Sequence, residues 1–139
     1  MSINRRRQIM AEATYMNPSG IADPSPSGFT AVVKAGNTVY IAGMVAQDEN
    51  GNVVGAGDAE AQTRQIWHNI GVAVAAAGGS LADIVKTTTY VTGIEHGAAV
   101  RKVRGELFPS NPPTSTLLVV SELANPAYVV EIESIAVVG

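Results

Sequence analysis

The sequence contains no cysteine, has few charged residues and has no long apolar run. The lack of cysteine excludes a thiol nucleophile, a thiolate metal site and a disulfide framework, and it is consistent with a reducing compartment. The apolar runs are far shorter than the ~20 residues that a transmembrane helix needs. The polar stretch at residues 4–8, which holds Arg5, Arg6 and Arg7, is not followed by an apolar signal segment. We therefore expect a cytoplasmic protein with no membrane partner.

Apolar residues make up 46% of the 139 residues and charged residues only 15%, whereas soluble domains average about 25% charged residues. A chain of this length supports one domain with its own core. Because few charges are available to keep apolar surface in water, we expect the chain to bury surface against copies of itself. The net charge of −3 argues against general affinity for nucleic acid. The three N-terminal arginines indicate either a solvated terminus or a contact with an anionic partner.

The residue pattern predicts the order strand, strand, helix, strand, helix, strand, strand, with a short additional strand at Ala13–Met16. Residues 1–28 form an N-terminal extension whose last part, 17–28, is rich in Pro, Gly and Ser and is either a plain loop or a lid. Asp58 is expected to cap a helix that stops at Gly78 and Gly79. The expected strands are 29–34, 38–42, 83–92, 115–120 and 128–138, and the expected helices are 58–77 and 95–108.

The last strand predicts a sheet with apolar residues on both faces, because side chains alternate along a strand. Its even-numbered positions, 130–138, are apolar or small, while its odd-numbered positions mix apolar residues with Glu131 and Glu133. Short right-handed crossovers place both helices on one face, so the other face needs a partner. We expect that partner to be another copy of the chain; the alternative is a two-layer monomer with an exposed patch. Glu131 is then either a salt-bridge partner or a functional acid.

Four segments of the sequence resemble the Rid family of reactive-intermediate deaminases, also called the YjgF or L-PSP family. They are GNTVYIAGMVAQDENGNVV, AAAGGSLADIVKTTTYVT, ELFPSNPPTSTLLVVSEL and VVEIESIAV, and the similarity extends from about Phe29 to Val138. The resemblance implies an α+β, chorismate-mutase-like fold of the bacillary type. Such a subunit has a mixed sheet backed by two helices on one face, and three subunits assemble around a central barrel.

The resemblance also implies a function and a place for it. Members of the family hydrolyse enamines and imines in clefts between subunits of a homotrimer, releasing ammonia without a metal or organic cofactor. Glu131 matches the family glutamate that assists water activation or proton transfer. The implied substrate-binding positions include Gly43, Met44 and Leu117.

The chain departs from the family pattern at positions that line the implied cleft. Ser115 stands where the family has an arginine that binds the substrate carboxylate, and Phe29 stands where it has a tyrosine. Met44 replaces a glutamine. Arg101 matches a family asparagine on the second helix. Arg101 is either a relocated anion anchor, with hydroxyl groups from Thr114, Ser115 and Thr116, or part of the solvated helix side that also holds Lys102 and Arg104.

Other chemistries have weaker support in the sequence. His68 and His96 lack partners at metal-ligand spacing, so we expect no metal site. The serines lack a nucleophile-elbow motif. The leading hypothesis is an enamine or imine deaminase, and an aminomuconate-like unsaturated amino acid is one candidate substrate. The alternatives are a non-catalytic small-molecule-binding or regulatory trimer and, with the least support, a ribonuclease or translation inhibitor.

Overall fold

The computed structural model describes residues 12–139, so the N-terminal arginines lie outside the described residues. Within this range, six strands form one mixed sheet in the spatial order β1-β2-β3-β6-β4-β5, and only the pair β4 and β5 is parallel. The strands are β1 Ala13–Met16, β2 Val32–Ala35, β3 Thr38–Val45, β4 Ile84–Val91, β5 Thr114–Val119 and β6 Val130–Val137. The helices are α1 Ala59–Ala76 and α2 Gly97–Leu107. This α+β arrangement agrees with the expected fold class.

Helix α1 begins and ends at the residues that the sequence indicates. The Asp58 side chain accepts a hydrogen bond from the backbone N–H of Ala61 at 3.1 Å and so caps the first turn. At the other end, Gly78 adopts φ +88°, and the backbone N–H groups of Gly78 and Gly79 bond the carbonyls of Ala75 and Val74. This is a Schellman motif, which requires a left-handed residue where the helix stops.

The first predicted strand starts later than expected, at Val32 instead of residue 29. The Asn17 side chain accepts the backbone N–H of Ala31 at 2.8 Å, so the preceding loop binds this part of the chain before sheet pairing begins. The hairpin from β2 to β3 turns at Gly36, which has φ +60°, and Asn37. A glycine at the first central position of a two-residue turn is typical of a type II′ hairpin.

The two helices pack on one face of the sheet, as predicted. We call this the covered face; it carries Val39, Ile41, Val130 and Ile132, which are all buried against α1 and its surroundings. The opposite side, here the open face, carries Tyr40, Tyr90, Glu131, Glu133, Ile135 and Val137. The alternation of β6 is therefore confirmed residue by residue, with even positions covered and odd positions on the open face.

A buried glutamine connects α1 to the segment that leads into β6. Gln62 is fully buried; its Nε2 donates to the carbonyls of Gly55 at 2.9 Å and Ala127 at 2.7 Å. Its Oε1 accepts the backbone N–H of Val129 at 2.9 Å. Because buried polar groups cost free energy unless they are paired, these three bonds hold two loops against α1 and determine where β6 begins.

Candidate functional site

Glu131 lies near the start of β6 on the open face, between Tyr90 of β4 and Val45 of β3. Its side chain is half-buried, and within residues 12–139 no donor lies within hydrogen-bonding distance of its carboxylate. Burial raises the pKa of Glu131 above the usual value of 4.5, and the negative charge of Glu133 raises it further. A carboxyl group with a raised pKa and free oxygens can exchange a proton closer to neutral pH.

Gly43 is the residue against which the Glu131 carboxylate rests. A Cβ atom at Gly43 would overlap Oε2 of Glu131 and would lie 3.0 Å from Cδ. The pairing of β3 with β6 shifts register between Ile41 and Met44, which places Gly43 in an irregular part of the strand. Such irregularities re-aim side chains beside functional sites. The lack of a side chain at Gly43 therefore decides where the carboxylate lies.

Phe29 and Met44 lie next to Gly43, with different exposures. Together with residues of the 17–28 loop, all three line a small pocket of about 30 Å³. Phe29 is 51% exposed, whereas Met44 pairs with Ile132 and belongs to the core on the covered face. Gly43 therefore connects two contacts, because it lies against Glu131 and also lines the same small pocket as Phe29 and Met44. We call these residues the glutamate group.

The remaining predicted site residues lie together at the other end of the sheet, around edge strand β5. Ser115 and Leu117 are on the side of β5 that faces α2, and Leu117 packs against the core. Thr114 and Thr116 point to the open face, where the Thr114 hydroxyl donates to the carbonyl of Val85 at 3.1 Å. The Arg101 side chain lies beside Leu117. We call Arg101, Ser115 and Leu117, together with Arg104, the arginine group.

Arg104 belongs to this group through a contact that the sequence analysis missed. Its Nη1 donates to Oγ of Ser115 at 2.7 Å. The helical spacing alone predicts Arg104 as part of the solvated side of α2. Lys102 fits that interpretation, because its Nζ donates to Glu60 at 2.7 Å, whereas Arg104 also contacts β5 through Ser115. The three-residue spacing from Arg101 was the available signal, because residues three apart are neighbours on a helix surface.

The two groups do not meet within one chain. Glu131 is on β6 and points to the open face, whereas Ser115 is on β5, separated from β6 by β4, and points to the covered side. Because the two groups lie on opposite faces of the sheet, one small ligand cannot contact both groups of the same chain. If the two groups form one site, a second copy of the chain must supply one of them.

The open face also holds a polar pair that the sequence analysis did not select. The Tyr90 hydroxyl donates to Oε1 of Glu133 at 3.1 Å, and burial together with this bond raises the pKa of Tyr90. Next to this pair is a concavity of about 310 Å³ lined by Tyr40, Lys86 and Thr88 among others. Tyr90 was detectable from strand alternation, since its position places it on the same face as Glu131.

Residues 12–139 contain no cluster of three His, Cys, Asp or Glu side chains arranged to hold a metal ion. His68 is exposed, and His96 lies 3.7 Å from a carboxylate oxygen of Glu95. None of the helices in the described part of the chain is long and apolar enough to cross a membrane.

Comparison with known proteins gives a consistent set of relatives. The family model Endoribonuclease L-PSP matches residues 21–138. RutC family protein PH0854 from Pyrococcus horikoshii is 36% identical over 114 residues, which cover 81% of this chain and 90% of that protein. The crystal structure of RidA from the Antarctic bacterium Psychrobacter sp. PAMC 21119 is similar, with 32% identity, a TM-score of 0.80, and coverage of 90% of this chain and 98% of that one.

A second solved structure is that of YyfA from Yersinia pestis, a protein of unknown function in the conserved Rid protein family. It is 26% identical and has a TM-score of 0.85, and the match covers 91% of this chain and 100% of that one. The family-model match at residues 21–138 includes strands β2 to β6 and both helices.

Proposed function

The chain belongs to the Rid/YjgF/L-PSP family, and from this premise we propose that it is a cofactor-independent deaminase that hydrolyses an enamine or imine and releases ammonia. One observation supports this proposal above the others. Glu131 is half-buried, its oxygens are free, its pKa is raised, and it occupies the space that the missing side chain of Gly43 leaves open. A carboxylate that serves only stability is usually paired.

In the proposed reaction, a proton from solvent first adds to the enamine carbon and gives an iminium ion. Water then adds to the iminium carbon, and the Glu131 carboxylate accepts the proton that the water loses. The same proton passes to the amine nitrogen, the C–N bond breaks and ammonia leaves. As the carbonyl group forms, the Glu131 carboxylate takes up the hydroxyl proton and releases it to solvent. Because Glu131 both accepts and donates a proton, a pKa raised toward neutrality suits both steps.

We propose that the complete site forms between copies of the chain, in a homotrimer whose open faces surround a central barrel. The separation of the glutamate group from the arginine group supports this assembly, since one chain cannot present both to one small molecule. The exposed apolar surface of the open face supports it as well. The side chains of Tyr40, Leu118 and Val137 are each about half exposed there. Large exposed apolar patches usually mark interaction surfaces.

We propose Phe29, Gly43, Met44, Arg101, Thr114, Ser115, Thr116 and Leu117 as the residues around the substrate. An aminomuconate-like unsaturated amino acid is a candidate substrate within this class. The second candidate function is a small-molecule-binding or regulatory trimer without turnover. Ser115 favours it, because a hydroxyl group replaces the guanidinium with which the family holds a substrate carboxylate.

The test is ammonia release above the uncatalysed rate from a panel of imines, generated in situ by an amino-acid oxidase, and of aminomuconate-like compounds. Glu131→Gln is expected to lower the rate about 10²- to 10⁴-fold, the usual contribution of general acid–base catalysis. Glu133→Gln, two residues along the same strand face, is the matched control and should retain most activity. Turnover by Glu131→Gln at the wild-type rate would contradict the proposal, and metabolite binding without turnover by wild type would favour the binding protein.

Loss of activity in Glu131→Gln must be separated from loss of folding. The pKa of Glu131 is raised in the folded state, so its contribution to stability is full below its unfolded pKa and is lost as the pH rises through the folded pKa. At neutral pH, the neutral glutamine therefore removes an unfavourable charge. We expect Glu131→Gln to melt at the same temperature as wild type or higher.

A further inference from the structure

The positively charged side chains on the two helices fall into two classes: some form ion pairs with carboxylates, and others do not. Lys102 of α2 pairs with Glu60, and Arg64 of α1 pairs with Glu106 at 2.8 Å and with Glu60 at 3.4 Å. These cations are neutralised on the solvent side. Arg101 and Arg104, on the same helix as Lys102, have no carboxylate within 4.0 Å in the described part of the chain.

Arg104 is held in place by a neutral group. Its Nη1 donates to Oγ of Ser115 at 2.7 Å, and its side chain is half-buried between α2 and β5. A hydroxyl acceptor fixes the direction of a guanidinium but leaves its charge uncompensated. Since a guanidinium has five N–H donors, this bond leaves donors free for a planar anion.

Arg101 directs a second uncompensated guanidinium to the same strand. A Cβ atom at Gly97 would lie 3.0 Å from Nη1 of Arg101 and 3.8 Å from Cδ1 of Leu117, so the guanidinium rests on the bare backbone of Gly97 beside Leu117. The first turn of α2 contains no acidic residue that could neutralise it. Ser115 and Leu117 are alternate residues on one side of β5, so both arginines lie on the α2 side of this strand.

We infer that Arg101 and Arg104 form a paired-guanidinium subsite that binds the two carboxylates of a dicarboxylate, with Ser115 orienting Arg104. Side chains three residues apart on a helix have Cβ atoms about 5–6 Å apart, so two long arginine side chains can bring their guanidinium groups to two anionic groups on one short chain. This inference rests on the proposed function for its placement at the substrate site. It assigns the substrate class as an unsaturated amino acid with a second carboxylate.

The test is calorimetric binding to the full-length protein with three probes: adipate, which has two carboxylates; hexanoate, which has one; and inorganic phosphate, a compact dianion. Adipate should bind at least about tenfold more tightly than hexanoate or phosphate, since each charge-assisted bond contributes that order of affinity. Arg101→Gln and Arg104→Gln should each weaken adipate binding by about tenfold or more, and Arg104→Lys should recover part of the loss. Lys102→Gln, the matched control on the same helix, should bind adipate as wild type does.

Three results would overturn the inference: equal affinity for adipate and hexanoate, tighter binding of phosphate than of adipate, or an equal loss of affinity in Lys102→Gln. The readout does not depend on turnover, so the two proposals fail separately. If no imine is hydrolysed but adipate binding depends on both arginines, the deaminase proposal is wrong and this subsite stands. If imines are hydrolysed and the arginine variants bind adipate as wild type does, the subsite is wrong and the deaminase stands.

Discussion

The covered face and the open face are built by the same strands, yet they differ in almost every physical property. On β6, Ile132 is fully inaccessible and packs in the core, while its neighbours Glu131 and Glu133 are carboxylates on the opposite side. The covered face is completed within one chain by α1 and α2. The open face combines exposed apolar side chains with a free carboxylate of raised pKa. One face thus packs within the chain, and the other leaves apolar side chains and a carboxylate exposed.

The largest difference between the faces should appear in stability. Ile132→Ala removes a fully buried side chain from the covered face and is expected to cost about 2–5 kcal/mol of unfolding free energy. Ile135→Ala, on the open face of the same strand, is the matched control and should cost clearly less at low protein concentration. Urea unfolding of both variants measures the two values. Equal losses would show that the faces do not divide as described.

The next effect concerns the position of Glu131 on the open face. Gly43→Ala adds a Cβ atom where the carboxylate now rests, so the carboxylate must move. A displacement of about 1 Å can lower a rate about 10²-fold, and we expect a loss of this order in ammonia release. Gly105→Ala is the control: nothing lies within 4 Å of a Cβ atom there, and alanine favours the helix. If Gly43→Ala released ammonia at the wild-type rate, the position of the Glu131 carboxylate would not matter for catalysis.

A smaller effect is expected in the pH dependence of activity. Glu131 must be ionised to accept a proton from water, so activity should fall as the pH drops through its raised pKa. Glu133→Gln removes the neighbouring negative charge and lowers the pKa of Glu131, which moves the acid limb of the rate profile to lower pH. The limb should stay above pH 4.5, because burial still raises the pKa. A limb that moves to higher pH would refute this coupling.

The two faces also explain how much could be predicted from the sequence. Strand alternation identified both faces of β6, and capping residues located both ends of α1, because these signals depend only on neighbours along the chain. The bond from Arg104 to Ser115 could not be predicted in this way. It depends on how α2 lies across β5, which is decided by the packing of the whole helical layer. The contact between the Glu131 carboxylate and Gly43 could not be predicted either, because it depends on the register shift between β3 and β6.

We propose that copies of the chain meet at the open face, and the molar mass in solution tests this most directly. Sedimentation equilibrium at micromolar concentration should give three times the 14.4 kDa mass of the chain. Tyr40→Asp places a charge on the open face and should dissociate the assembly. Ile94→Asp, at an apolar residue outside the sheet that is 69% exposed, should leave the assembly intact. A wild-type mass of 14.4 kDa would contradict the account.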